Sequence, residues 1–395
     1  MKISGIVCEY NPFHNGHLYH INQTRANGAT HIVAVMSGNF VQRGDVAVMD
    51  KFERAQIAVK SGVDLVVEIP VVYSIATAEV YARGAVYLLN ALGCVDEISF
   101  GSECGNLELL VEAVKASVTC TKKPELKELM EDGMSFPVAL RILVERNYGT
   151  EMAILFDGSN NLLAIEYIKA IAFLGSNITP FTTARKGSTH DNSSKPKGDI
   201  ASASFIRQSI SSQSDFSDFI PDETLQALLS ATRTASLANI DNLEKLILYK
   251  LRTSSVETLK NAPDIGQGLE NRIFDARTAT SLKELFFTIK TKRYPMARIR
   301  RILLNVLLGI QKSDLVNPPP FGRILAVNQR GCDILSEAKT KASIPFATSL
   351  AKLGEINDTA KHFATLESRA GDIYALATKE IHPCNKDFTA KVGIS

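Results

Sequence analysis

The chain has 395 residues, about two or three times the length of an ordinary single domain, so two domains are expected. Lys and Arg number 44 against 42 Asp and Glu, which leaves a net charge of +2 and excludes a protein that is basic throughout. A hydrophobic share of 45% and a charged share of 22% exclude disorder over most of the chain.

Hydropathy and cysteine usage indicate the compartment. The sequence has no run of about 18 uncharged apolar residues, and its beginning lacks the long apolar core of a signal peptide. The six cysteines are scattered without a CxxC pair, which argues against a structural zinc site or a disulfide framework. We therefore expect a cytoplasmic protein without a membrane span.

The first part of the chain alternates short apolar runs with helical patterns. Strands are predicted over 3–8, 31–36, 64–69, 97–100 and 178–183, and helices over 17–26, 51–61 and 77–92. This alternation is typical of βαβ units in a doubly wound parallel α/β sheet. Ligands of such sheets bind beyond the carboxyl ends of the strands, so the loops after these strands are the candidate site.

The second part of the chain has a different pattern. Residues 187–202 are rich in Ser, Gly, Pro, Asn and Lys and predict a mobile surface loop. Amphipathic helices are predicted over 225–231, 243–251, 282–289 and 299–310, and a small βαβ unit over 321–349. We therefore divide the chain into an α/β domain, residues 1–215, and a mainly helical domain, residues 216–395.

The densest chemical signal follows the first predicted strand and opens the first helix. His14-Asn15-Gly16-His17 fits the HxGH pattern of nucleotidyltransferases. Glycine lets phosphates approach the backbone, and a helix N-terminus favours an anion. Two imidazoles can donate hydrogen bonds that strengthen as charge builds on an α-phosphate. The pattern predicts a triphosphate site in which His14 and His17 are catalytic.

Two simpler explanations of this segment were weighed. A histidine near a helix start is most often a satisfied polar residue, but here strand, proline, aromatic residue, HxGH and helix follow in order. Cys8, His14, His17 and His20 could instead bind zinc, although a zinc site would not require the glycine. The nucleotide site is favoured over both.

Other strand ends carry weaker signals. The loop 36–44, with Ser, Gly, Asn, Gln and Arg, suits phosphate or substrate binding, and Gly101 would let an adenine or ribose lie against the chain. Asp50 is as easily a helix N-cap as a catalytic group. Asn160 either caps a helix or contacts a nucleotide.

A second phosphate-binding pattern lies far downstream of HxGH. Ser202, Ser204 and Arg207 form a Ser-x-Ser-x-x-Arg motif at a predicted helix start. The motif offers hydroxyls, backbone N–H groups and a guanidinium to β- and γ-phosphates. Together with HxGH it predicts a triphosphate site, with Arg207 as a third catalytic residue. In the HxGH nucleotidyltransferases that the first motif resembles, these two elements form opposite walls of that site.

These segments together resemble the family of tRNA-Met cytidine acetate ligases, which belong to the HxGH nucleotidyltransferase superfamily. The matching segments are Gly5-Ile6-Val7-x-Glu9-Tyr10-Asn11-Pro12-Phe13-His14-Asn15-Gly16-His17, Met36-Ser37-Gly38-Asn39-Phe40-Val41-Gln42-Arg43-Gly44, Phe100-Gly101-Ser102-Glu103, Asn160-Asn161-x-Leu163-x-Ile165-Glu166-Tyr167 and Ser202-Ala203-Ser204-x-Ile206-Arg207. The resemblance implies a ligase that converts acetate and ATP to acetyl-adenylate and pyrophosphate. The acetyl group then gives N4-acetylcytidine at the wobble position of elongator tRNA-Met.

The resemblance also implies the ATP contacts, and leaves open which of two neighbouring asparagines takes part. The ATP-binding residues expected from the resemblance and from the downstream motif are Val7, Cys8, Glu9, Tyr10, Asn11, Pro12, Phe13, His14, Asn15, Gly16, His17, Leu18, Tyr19, His20, Gly101, Asn160, Asn161, Arg185, Ser202 and Ser204. Mg²⁺ is expected to accompany ATP, bound mostly through phosphates and water.

One basic segment is a candidate tRNA contact. It carries six positive charges and no acid, on Lys290, Lys292, Arg293, Arg298, Arg300 and Arg301. A solvated helix face would explain the segment equally well. For the whole chain, the alternatives to the ligase are a small-molecule adenylyltransferase, which retains AMP in its product, and a non-catalytic, nucleotide-sensing RNA-binding protein.

Overall fold

The structure is a computed structural model that describes residues 1–185, 198–390 and 392–394. Its strands are β1 (Ile3–Cys8), β2 (His31–Ser37), β3 (Phe40–Val41), β4 (Asp45–Val46), β5 (Leu65–Ile69), β6 (Glu97–Ser102), β7 (Thr179–Ala184), β8 (Gly322–Val327), β9 (Phe346–Ala347) and β10 (Gly393–Ile394). Within the described ranges, eight of them form one sheet in the order β10-β8-β5-β2-β1-β6-β7, with β9 paired to β8. β3 and β4 form a separate hairpin.

Helices cover the sheet and build most of the C-terminal half. In the first half they are α1 (Asn15–Ala26), α2 (Lys51–Lys60), α3 (Val71–Ser74), α4 (Ala78–Ala91), α5 (Leu107–Thr121), α6 (Pro124–Glu131), α7 (Phe136–Tyr148), α8 (Thr150–Ile154) and α9 (Ser159–Leu174). In the second half they are α10 (Ala203–Ser212), α11 (Asp222–Arg233), α12 (Glu244–Thr253), α13 (Val256–Lys260), α14 (Leu269–Asp275), α15 (Leu282–Ile289), α16 (Met296–Leu308), α17 (Gln329–Ala338), α18 (Leu350–Gly354), α19 (Asp358–Ala375) and α20 (Lys386–Thr389). Short 3-10 turns link some of them.

The five strands predicted in the first half are confirmed within two residues at each end. β1, β2, β5, β6 and β7 run parallel, so their carboxyl ends meet at one edge. Along β2, Val33 and Val35 belong to one core cluster, whereas Ile32, Ala34 and Met36 belong to the other. This alternation shows why the strand is apolar from Ile32 to Met36: both of its faces are buried there.

The C-terminal half completes the same sheet. β8 pairs with β5 in antiparallel orientation, and β9 and β10 pair with β8. The βαβ unit predicted over 321–349 is therefore present as β8, α17 and β9, and it covers the β5 edge of the parallel strands. Strands from residues 1–215 and from residues 216–395 share one sheet. The division of the chain into these two domains stays a prediction.

Buried charges fasten the C-terminal helix α20 to this sheet. Lys51 Nζ lies 2.6 Å from Glu68 Oε1 and 2.5 Å from Asp387 Oδ1. Arg323 pairs with the same two carboxylates. Because a buried charge is costly without its partner, each of these four residues depends on the others.

Two remaining expectations concern the predicted loop and the membrane. Residues 187–197 of the predicted surface loop, and Lys186 before them, lie outside the described residues. Every helix that the structure describes is too short or too polar to cross a lipid bilayer.

Candidate functional site

The HxGH turn connects the end of β1 to α1. His14 is the N-cap of α1, and its Nδ1 accepts a hydrogen bond from Gly16 N at 3.1 Å. His17 Nδ1 accepts one from His14 N at 3.2 Å, so the two histidines form a reciprocal capping box. Their rings stack with centroids 3.6 Å apart. A Cβ on residue 16 would lie 2.9 Å from His14 Cε1, so the turn has room only for glycine.

These hydrogen bonds also decide which ring nitrogens carry protons. Because both Nδ1 atoms accept, each neutral imidazole carries its hydrogen on Nε2. Burial, with smaller effects of Arg185 and Arg207, lowers the pKa of His14 to about 3. Burial, followed by the neighbouring His14, lowers the pKa of His17 well below its usual value. Both rings are therefore neutral Nε2–H donors at pH 7.

The lowered pKa values of the histidines predict that acid weakens the fold. Burial and then Arg185 also lower the pKa of His20, to about 4. Unfolded histidines take up protons below about pH 6.5, whereas these three do so only at much lower pH. The contribution of their neutral forms to the free energy of unfolding is thus fully present above about pH 6.5. It decreases as the pH falls toward about 4.

Urea unfolding at a series of pH values measures this effect. We expect the free energy of unfolding of His20→Asn to depend less steeply on pH than that of the wild-type chain. Equal pH slopes in the two proteins would contradict a His20 that stays neutral in the folded chain.

A cavity of about 200 Å³ opens beside the turn, at the carboxyl ends of β1 and β6. Of the residues expected to bind ATP, those lining it are Val7, Cys8, Glu9, Tyr10, His17, His20, Gly101, Asn160 and Arg185. Gln42 and Arg43, from the loop 36–44 that was expected to suit phosphate or substrate binding, line it as well. The lining residues to which the sequence assigned no role are Ile6, Tyr81, Phe100, Leu163 and Tyr167.

Aromatic side chains form one wall of the cavity. The rings of Phe100 and Tyr167 lie 5.7 Å apart, and Tyr81 Oη lies 3.5 Å from the carbonyl oxygen of Cys8. An aromatic wall beside cationic side chains suits a nucleotide, with its flat base and charged phosphates. Tyr81 was missed because it looks like an ordinary core residue of α4.

Other residues of the 7–20 stretch stabilise the turn instead of lining the cavity. Asn11 Oδ1 accepts a hydrogen bond from Val48 N at 2.8 Å. Phe13 is fully buried, and Leu18 packs against the same core cluster. Positions 17 and 20 share one helix face that excludes position 18. The remaining members that do not line the cavity are Pro12, His14, Asn15, Gly16 and Tyr19.

The downstream Ser-x-Ser-x-x-Arg segment packs against the HxGH turn. Arg207 Nη1 donates to the carbonyl oxygen of Asn11 at 2.8 Å, and Nη2 donates to Ser204 Oγ at 3.2 Å. Asn15 Nδ2 donates to the carbonyl oxygen of Asp199 at 2.9 Å. The fold thus joins two motifs that lie far apart in sequence.

Helix caps account for two of the predicted polar residues. Ser202 Oγ accepts the N–H three residues later at 3.1 Å, and Asp50 Oδ1 accepts the N–H two residues later at 2.9 Å. The N-cap interpretation of Asp50 is therefore confirmed. Asn160 is not a cap, because the N-cap of α9 is Gly158.

The two asparagines differ in what they face. Asn160 lines the cavity, and its Oδ1 accepts a hydrogen bond from Arg185 Nη1 at 2.9 Å. Asn161 is buried, and its Oδ1 accepts from the N–H groups of Glu103 and Cys104 at 2.9 and 3.2 Å. Asn160 is therefore the one placed to contact a nucleotide.

A fully buried arginine holds the loops around the site. The Arg54 guanidinium donates to the carbonyl oxygens of Met49 (2.9 Å), Glu9 (2.5 Å), Ser37 (3.1 Å) and Gly38. Ser37 ends β2 and Gly38 follows it, and Glu9 follows β1. Arg54 thereby links the first two strand ends.

Ion pairs constrain half of the basic segment. Arg301 and Arg298 approach the carboxylate of Asp264 at 2.6 and 3.4 Å, and Arg300 lies 3.3 Å from Asp45. These acids come from other parts of the chain. The segment therefore carries less unpaired positive charge than its local sequence indicates. Among the described residues, the members without such an ion pair are Lys290, Lys292 and Arg293.

Comparison with known proteins agrees with this geometry. The profile of the HIGH nucleotidyl transferase family matches residues 1–388. The parallel sheet, the HxGH turn and the cavity beside it thus define a nucleotidyltransferase.

Individual relatives identify the family to which the chain belongs within this class. The chain is 40% identical to the tRNA(Met) cytidine acetate ligase of Thermoanaerobacter sp. (strain X514) over 98% of both chains, and 39% identical to that of Clostridium novyi (strain NT) over 96% of both. Crystal structures of Thermotoga maritima TmcAL match with TM-scores of 0.90 (bound with alpha-thio ATP) and 0.92 (apo), at 31% and 30% identity. Each match covers 100% of this chain and 99% of the other. The chain belongs to the tRNA(Met) cytidine acetate ligase family.

Proposed function

We propose that this chain is an ATP-dependent acetate ligase that forms N4-acetylcytidine at the wobble position of elongator tRNA-Met. The observation that carries the proposal is the HxGH turn: both imidazoles accept at Nδ1 and so carry their hydrogen on Nε2, and His17 lines a cavity together with Arg43 and Arg185. Family membership supports the same activity. Because the substrate is tRNA, we place the reaction in the cytoplasm.

Acetate activation is the first step. An acetate oxygen attacks the α-phosphorus of ATP, the bond to the β-phosphate bridging oxygen breaks, and acetyl-adenylate and pyrophosphate form. Acetate is already ionised at pH 7, so no strong base is needed and catalysis rests on positioning and on charge stabilisation. His14 and His17 donate from Nε2, and the guanidinium groups of Arg185 and Arg207 attract the phosphates.

Acetyl transfer is the second step. The exocyclic amine of the cytidine attacks the acetyl carbonyl carbon, AMP leaves, and the amine loses one proton. The cytidine must first be splayed out of its anticodon stack to expose this amine. We assign nucleotide chemistry to residues 1–215 and tRNA contact to residues 216–395.

Metal ions are considered separately. The part of the chain that the structure describes contains no group of three or more His, Cys, Asp or Glu side chains placed to hold a metal. The alternative zinc site of Cys8, His14, His17 and His20 therefore has no ligand cluster to support it. We propose that Mg²⁺ enters with ATP and is held by phosphates and water.

Incubation with labelled acetate, ATP and total bacterial tRNA, followed by nucleoside analysis, tests the proposed function. We expect labelled N4-acetylcytidine, free AMP and pyrophosphate. AMP retained in a small-molecule product would favour an adenylyltransferase. ATP binding without acetate-dependent pyrophosphate release would favour a non-catalytic RNA-binding protein.

We place tRNA contact on α15 and the residues after it. Phe287 is 86% exposed and lies four residues after the exposed Lys283 on this helix. Lys290, directly after the end of the helix, is exposed too. Lys292 is exposed as well. An aromatic ring flanked by lysines offers stacking to an unpaired base and attraction to the adjoining phosphates.

A charge-reversal pair tests this surface. Lys290→Glu with Lys292→Glu should weaken tRNA binding, reduce its salt dependence and spare acetyl-adenylate formation, because two phosphate contacts are lost. The matched control is Lys115→Glu with Lys122→Glu, which makes the same charge change at exposed positions of and just after α5. Equal tRNA affinity in the two double variants would remove this surface from the proposal. Arg300 and Arg301 are unsuitable targets because their ion pairs support the fold.

A further inference from the structure

Glu103 follows β6 and binds the first turn of α9. Its Oε1 accepts hydrogen bonds from Asn160 N at 3.0 Å and from Asn160 Nδ2 at 2.6 Å, and its Oε2 accepts from Asn161 N at 2.6 Å. α9 receives no cap from its own N-cap residue, Gly158. Glu103 thus caps this helix from another part of the chain, where an anion is favoured.

The residues around the Glu103 carboxylate contact it closely. A Cβ on Gly158 would lie 2.6 Å from Glu103 Oε2, so a larger residue there would displace the carboxylate. Asn161 Oδ1 accepts from Glu103 N in return. Burial alone would raise the pKa of Glu103, but its hydrogen bonds from Asn160 and Asn161 hold the pKa below its usual value. Glu103 is therefore ionised at pH 7.

The same carboxylate decides the orientation of the Asn160 amide. Since Asn160 Nδ2 donates to Glu103, its Oδ1 must face the other way, where it accepts from Arg185 Nη1 at 2.9 Å. Arg185 also lies over Gly101, whose missing Cβ would be 3.2 Å from Arg185 Cγ. A chain of three side chains thus runs from the cap of α9 to a cation in the cavity.

We propose that Glu103 is a positioning residue for nucleotide binding: it fixes the Asn160 amide, and through it aims the Arg185 guanidinium at the phosphates of ATP. This proposal rests on the proposed function only in taking ATP as the ligand of the cavity. Asn160 and Arg185 contact the nucleotide, whereas Glu103 acts through them. Without Glu103 the amide can rotate and present a donor to Arg185, which would turn the guanidinium away.

Glu103→Gln tests the proposal with almost no change in size. We expect the Kd for ATP, measured by equilibrium dialysis, to rise about tenfold or more. The Glu103→Gln, Arg185→Gln double variant should bind ATP no more weakly than Arg185→Gln alone, because residues acting in one chain are not additive. Gly158→Ala, whose Cβ would displace the carboxylate while leaving Asn160 and Arg185 in place, should reproduce the loss if Glu103→Gln does not fold.

The control separates positioning from capping alone. Asn106→Ala removes the side-chain cap of the neighbouring helix α5, where Asn106 Oδ1 accepts from Leu109 N at 3.1 Å. We expect it to lower stability and leave the Kd for ATP unchanged. An ATP affinity of Glu103→Gln within about twofold of wild type, or full additivity with Arg185→Gln, would overturn the proposal. Failure of acetate-dependent turnover in the wild-type chain would instead overturn the proposed function, and leave the ATP affinities interpretable.

Discussion

We expect His17→Ala to lose about 100-fold to 1000-fold in kcat for acetate-dependent pyrophosphate formation while the chain still folds. His17 lines the cavity, and its Nδ1 is occupied by His14 N, so Nε2–H is the donor left for the α-phosphate. Its pKa is held low by burial and by His14, so the lost group is a neutral donor rather than a charge. Steady-state pyrophosphate release, with urea unfolding as the check on folding, measures the effect.

His31→Ala serves as the matched control for this histidine. His31 begins β2, at the end of the sheet opposite the cavity, and its Nε2 lies 3.6 Å from Asp333. We expect near wild-type turnover from it. Normal acetyl-adenylate yield from His17→Ala would refute the catalytic assignment of this imidazole.

Arg54→Met should give the largest loss of stability, about 3–5 kcal/mol in the free energy of unfolding. The side chain is fully buried, and its removal leaves four carbonyl oxygens without their donor. Two of these lie at Ser37 and Gly38, and one at Glu9 beside the HxGH turn. Activity should fall with stability because Arg54 joins the loops that flank the cavity.

Chemical denaturation of Arg54→Met and of Lys60→Met tests this expectation. Lys60 is an exposed cation of the same helix, so its replacement makes the same charge change without disturbing buried carbonyls. We expect the control to change stability by less than about 0.5 kcal/mol. Similar unfolding midpoints for the two variants would show that the carbonyl oxygens find other donors.

Strands and the HxGH turn were predictable because their causes are local. The runs that become β1, β2 and β5 contain few polar side chains, since a strand buried on both faces packs against the core on each side. His14, Gly16 and His17 act within one helical turn, where spacing alone sets their proximity. Local patterns of this kind can be recognised without knowledge of the rest of the fold.

The basic segment shows where prediction from the local sequence fails. Lys and Arg between 290 and 301 looked unpaired because no acid stands among them, yet Asp264 and Asp45 lie against Arg301 and Arg300. Tyr81 and Arg54 gave no signal either, since a tyrosine or arginine in a helix is ordinary until its surroundings are known. Likewise, the antiparallel placement of β8 beside β5 depends on which sheet edge is open.

The amino-acid order alone determined the parallel α/β class, the positions of its first strands along the chain and the histidine turn that follows β1. Tertiary structure decided that Asn160 rather than Asn161 faces the cavity, that Glu103 orients it, and that Arg54 binds carbonyl oxygens from separate loops. The physical reason is the distance along the chain over which each kind of interaction acts. Backbone preference and hydrophobic period act between near neighbours, whereas a buried charge or amide is satisfied by whichever distant groups the folded chain brings within about 3 Å of it.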